Sequence, residues 1–132
     1  MIIVTRLPRH SSEQSLCHAI RALLTTLASC WAAELKRAPL PPLYRSGVVY
    51  RLEEEGPEDW SDPWTTRERG WGDCDDLVGW RVAELRAAGE PAGVVCMRRE
   101  GTQRYHVAVR RADGRLEDPS RVLRELERRR KR

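Results

Sequence analysis

The chain has no apolar run long enough to cross a bilayer and no cleavable leader. MIIVTRLPRH is apolar over its first residues and then turns basic, whereas a spanning helix needs about 20 apolar residues. A soluble protein made inside a cell, with no membrane partner, is the expectation. The four cysteines, Cys17, Cys30, Cys74 and Cys96, are scattered without a CxxC pair, which excludes a zinc knuckle or a redox dithiol. An unsecreted chain of this size has little need of disulfides, so free thiols, no metal and no cofactor are expected. Lysine is scarce: only Lys36 and Lys131 accompany the many arginines. A GC-rich coding sequence gives that bias, so the net charge of +4 assigns no ligand. The basic end LRELERRRKR is read as a solvated helix end rather than a nucleic-acid arm.

What is present fits one domain over residues 1–132, long enough to bury a core. Leu16, Ile20, Leu23, Leu24, Leu27, Trp31 and Leu35 recur at three- and four-residue steps, the mark of an amphipathic helix over about 11–37. Ser11 or Ser12 in SSEQ caps it, and the prolines of APLPP stop it. Cys17 and Cys30 lie within it and are expected to behave as small buried apolar groups. Val48 to Tyr50 predicts a short strand. From Gly56 to Gly72 proline, glycine, acid and tryptophan dominate, which predicts a long surface loop with one helical turn near 65–69. Its tryptophans, Trp60, Trp64 and Trp71, either wall a cleft or pin the loop to the core.

The next helix opens on GDCDDL. Asp73 is a good N-cap, and Asp76 stands where a capping box needs its second carboxylate. Cys74 is then the first helical residue, where free N–H groups and the macrodipole favour a thiolate. Asp75 and Asp76 oppose that charge, so the thiol needs a cationic partner from elsewhere. Cys74, Leu77, Val78, Val82 and Leu85 share one stripe; Arg81 shares it too and is expected to reach an acid at its margin.

Among the three histidines, His10 and His18 sit in exposed stretches. His106, in RYHVAVRR, lies on a strand expected to pack against the Cys74 helix. AGVVCMRRE precedes it as a strand, with a turn at 100–101, and RLED follows as a third. If Ala112, Asp113 and Gly114 form a three-residue loop with Gly114 left-handed, Arg111 pairs with Arg115. Asp118 and His106 are then diagonal neighbours on one face, about 7 Å apart at the backbone. A two-residue loop would put them on opposite faces. The set Cys74, His106 and Asp118 has the chemistry of nucleophile, base and orienting carboxylate. Trp64, Trp71 and Asp73 are the candidates for the oxyanion and substrate cleft.

GWGDCDDLVGWRVAELRAAGEPA, then YHVAVRR, then DGRLEDPS resemble the transglutaminase-like (papain-like fold) cysteine enzyme superfamily. Its pattern is G-x-C-x-[DE] opening a helix, a histidine on a following strand and an aspartate after a turn. YRSGVVYRLE and the Trp-rich loop are also similar to small bacteriophage or prophage members. The resemblance spans 44–120 and implies an α+β fold: an N-terminal helix and a cysteine-bearing helix packed on a small antiparallel sheet. It further implies a catalytic core over about 44–120 and a Cys74–His106–Asp118 triad; beyond it, the spacing of Val122, Leu123 and Leu126 predicts a basic helix over 120–132. The expected activity is that of a cysteine peptidase or amidase acting on a peptide or protein, in the host cytoplasm or a virion. The alternatives are a non-catalytic structural or adaptor protein among phage structural proteins, and an amide-forming acyltransferase.

Overall fold

The computed structural model describes residues 2–5, 13–52, 58–98 and 105–131. Its elements run β1 (Ile2–Thr5), α1 (Glu13–Arg37), a 3-10 turn (Leu43–Arg45), β2 (Val49–Tyr50), β3 (Glu58–Ser61), α2 (Pro63–Arg69), β4 (Trp71–Gly72), α3 (Cys74–Ala87), β5 (Gly93–Arg98), β6 (Tyr105–Arg110), β7 (Leu116–Glu117) and α4 (Pro119–Arg130). The class is α+β. The expected cap at Ser11 or Ser12, His10 and the turn at 100–101 lie outside the described residues.

Helices α1 and α3 pack on one face of the antiparallel sheet β5–β6–β7. Burial follows the sequence spacing: Ile20, Leu24, Ala28, Trp31 and Leu35 of α1 meet Val78, Val82 and Leu85 of α3. Gly79 permits that crossing, because a Cβ there would stand 2.6 Å from a ring carbon of Trp31. Strand alternation sends Val107 and Val109 into the same core. A second cluster, Leu43, Val48, Leu77, Trp80 and Leu123, joins the other side of α3 to α4.

Three expectations need correction. The 56–72 segment is not one long loop. β3 pairs antiparallel with β1, α2 is capped by Asp62, whose side chain accepts from Thr65 N, and β4 pairs parallel with β2. These pairings are long-range, so no local pattern announces them. Secondly, Cys17 and Cys96 are not free thiols but form a disulfide, with Cα atoms 5.4 Å apart, and Cys30 is exposed rather than buried. α1 lies on β5, and 79 positions of sequence separation hid that proximity. Thirdly, Leu16–Arg37 is, by length and composition, a stretch that could cross a membrane. Its face of Ile20, Leu24, Ala28, Trp31 and Leu35 is buried against α3 and the sheet.

Candidate functional site

The β6–β7 hairpin has the register that the three-residue loop requires. Val109 opposes Glu117 and Arg110 opposes Leu116. Arg111 N donates to Arg115 O at 2.8 Å, and Gly114 has φ +91°. Only glycine takes that left-handed conformation without steric cost. In consequence His106 Nε2 stands 2.9 Å from Asp118 Oδ2.

Asp118 is also the N-cap of α4, a role the sequence reading missed although Asp-Pro-Ser carries its signal, with proline at the first helical position. Its Oδ1 accepts from the backbone N–H of Ser120 at 3.1 Å and of Arg121 at 3.4 Å. One oxygen thus faces the imidazole while the other is held by the helix start. Burial alone would raise this carboxyl. The His106 hydrogen bond and the two backbone donors outweigh it and hold Asp118 below the usual carboxylate range. An ionised carboxylate only accepts, so in the neutral ring Nε2 carries the hydrogen and Nδ1 bears the lone pair. Asp118 is the imidazole's only hydrogen-bond partner among the described residues.

Cys74 begins α3, is half-buried against the main core and is not disulfide-bonded. Asp73 caps the helix, accepting from Asp76 N at 3.3 Å, while Asp73 N donates to Asp76 Oδ2 at 3.2 Å. The expected capping box is therefore present. Tyr105 Oη donates to Asp75 Oδ2 at 2.9 Å, which ties the start of β6 to the start of α3. His106 is the next residue along the strand. Since Tyr105, Val107 and Val109 face the α1–α3 core, alternation turns His106 and Ala108 to the other face. The structure joins His106 to Asp118; it brings Cys74 to the same end of β6 but not into a hydrogen bond with the ring.

The tentative cleft residues are placed differently from the expectation. The Trp64 indole N–H is engaged by Ala38 O at 3.0 Å, so it is no oxyanion donor. Trp71 is stacked under Arg69, 3.8 Å from the ring centroid. Trp60 is buried in the core, which is the loop-pinning alternative. The cleft beside the imidazole, about 410 Å³, contains none of Trp64, Trp71 and Asp73 in its walls. Sequence reasoning searched the segment before Cys74, whereas the cleft is built by β5, β6, β7 and α4.

Two ionic junctions, one on a buried carboxylate and one part-buried, frame these residues. Asp76 accepts from Ser61 N at 2.7 Å and pairs with Arg69 Nη2 at 2.6 Å, joining β3, α2 and α3 at one carboxylate. Burial nevertheless pushes its carboxyl up to about 6. On the far side of α3, Arg81 finds the acids foreseen for it: Glu117 at 2.6 Å and Glu84 at 2.7 Å. Glu117 also accepts from Tyr44 Oη at 2.5 Å and Arg111 Nη1 at 2.7 Å. β7 has only two ladder residues, so this clamp is what fixes Glu117, and with it the adjoining Asp118, against α3.

Among the described residues no group of histidine, cysteine, aspartate or glutamate has the disposition of a metal site. No family model matches this chain, and no curated protein or solved structure matches it.

Proposed function

We propose that the protein is a thiol-dependent acyl-enzyme catalyst, a cysteine peptidase or amidase built like the transglutaminase-like superfamily its motifs resemble. The observation that carries this reading is the His106 Nε2–Asp118 Oδ2 hydrogen bond. It fixes the ring and leaves Nδ1 as the basic nitrogen.

In this reading Nδ1 takes the thiol proton, and Cys74 Sγ attacks the acyl carbon of an amide. The imidazolium then returns that proton to the leaving amine, and water, deprotonated by the same nitrogen, hydrolyses the thioester. Asp118 sets the tautomer and stabilises the imidazolium without itself being protonated. The N–H groups of the first turn of α3 supply positive potential for thiolate and oxyanion. The objection that two aspartates follow the thiol is weakened at Asp76, which Arg69 pairs. The same groups serve transfer to an amine, should one replace water.

A second reading, a non-catalytic structural or adaptor module, is favoured by one observation. His106 faces away from the core against which Cys74 packs, so the thiol must meet the ring past the end of β6 rather than straight across from α3.

Alkylation by iodoacetamide against pH separates the two. Cys30 is exposed and not disulfide-bonded, so modification is mapped by mass in a Cys30→Ser background. The catalytic reading expects Cys74 to react well below the ordinary thiol pKa of about 8.5, and His106→Ala to remove that advantage. A Cys74 profile centred at the ordinary value, unchanged in His106→Ala, supports the adaptor. Mass analysis of an activated amide incubated with and without a primary amine then distinguishes hydrolysis from transfer.

A further inference from the structure

The cleft on the His106 face of the sheet has an apolar wall formed by Met97, Ala108, Leu116 and Val122. Met97 and Leu116 are 38% and 60% exposed, a degree of exposure that a bound apolar group would reduce. The charged groups on the same cleft differ in whether they are already satisfied. Glu117 is held by Arg81, Arg111 and Tyr44, and Asp118 by His106 and the start of α4. Arg121, in the first turn of α4, also lines the cleft, and its guanidinium has no acidic partner among the described residues.

An apolar wall beside an unneutralised guanidinium selects a ligand with an apolar body and one anionic end. Guanidinium and carboxylate match as a planar pair of donors and acceptors. The volume, about 410 Å³, is near the lower end of ligand pockets, roughly 300–1,000 Å³. We infer that this cleft binds the C-terminal residue of a peptide, with its apolar side chain against Met97, Ala108, Leu116 and Val122 and its α-carboxylate on Arg121. This deepens the proposed function by naming the end of the substrate that reaches His106. It uses the cleft of that reading but not its thiol step.

The test is an NMR titration that follows the His106 ring nitrogens and the Met97 methyl while N-acetyl-leucine, N-acetyl-leucinamide or acetate is added. N-acetyl-leucine should shift both probes. Loss of a charge-assisted hydrogen bond weakens binding by about tenfold or more, so the amide should bind that much less well, as should the acid to Arg121→Gln. Arg121 is exposed, and an unchanged melting temperature verifies that the variant is folded. Equal affinity for acid and amide overturns the inference, as does an unaltered Arg121→Gln titration. Acetate matching N-acetyl-leucine overturns it too, because the apolar wall then contributes nothing. Binding as expected with an ordinary Cys74 alkylation profile would count against catalysis alone; normal activation without carboxylate selectivity would count against this inference alone.

Discussion

Two of the aspartates at helix starts, Asp76 and Asp118, are given different work by their surroundings. Asp76 in the first turn of α3 has a fully buried side chain, accepts from Ser61 and Asp73 and pairs with Arg69. Asp118, the cap of α4, keeps 30% of its side chain exposed and directs one oxygen at an imidazole beside an open cleft. Burial dominates at the first and raises its carboxyl to about 6. Donors dominate at the second and lower it. The residue type and its local role do not separate them; the depth of burial and the partner do. A carboxylate closed on all sides by the fold ties elements together, whereas one bonded to a histidine at a cleft is placed for proton chemistry.

The comparison is broken most severely at Asp76. Asp76→Ala removes the buried carboxylate that pairs with Arg69 and accepts from Ser61 N; breaking such a buried pair costs about 3–5 kcal/mol. Thermal or urea denaturation measures it. A loss no greater than that of an exposed substitution would mean that Asp76 does not hold the junction.

Next in size is the link between α1 and β5. In the chain-entropy account a cross-link that closes a long loop contributes about 2–4 kcal/mol. Cys96→Ser, or reduction of the wild type, should lower the denaturation midpoint to the same extent, and reductant should leave the variant unaffected. Gly79→Ala probes the α1–α3 crossing. It forces a methyl against Trp31, and overpacking of this kind costs roughly 1–3 kcal/mol although alanine is the better helix former.

The smallest effect sharpens the difference between the two carboxylates. Asparagine still caps a helix, so Asp118→Asn tests the charge more than the cap. Asp118 has a lowered pKa in the folded state. Its stabilisation is therefore full above the unfolded carboxylate value and is lost as pH falls through the folded one. Wild type should exceed Asp118→Asn in stability at neutral pH, by no more than about 1 kcal/mol for a partly solvated pair, and the two should converge in acid. A gap that widens in acid would contradict the assignment.

Much of this was legible in local sequence. The spacing of Ile20, Leu24, Trp31 and Leu35 gave α1 its buried face, and GDCDDL marked both the cap and the first turn of α3. Ala-Asp-Gly allowed a two- or a three-residue turn, and only the three-residue turn gives the His106–Asp118 register that the structure shows. The alternation in YHVAVRR held more than was read from it: Val107 and Val109, the large apolar residues, belong to the core side, so His106 faces away from α3. Asp-Pro-Ser likewise announced the α4 cap. No local signal existed for the β1–β3 and β2–β4 pairings, for the meeting of Cys17 with Cys96, or for the engagement of Trp64 by Ala38 O.

The sequence by itself determined the helix faces and the caps, because each depends on residues within a turn or two of one another. Only the tertiary structure decided which cysteines bond and where the cleft opens. Those depend on how α1, α3 and α4 lie against the sheet, and contact between residues tens of positions apart leaves no period in the chain.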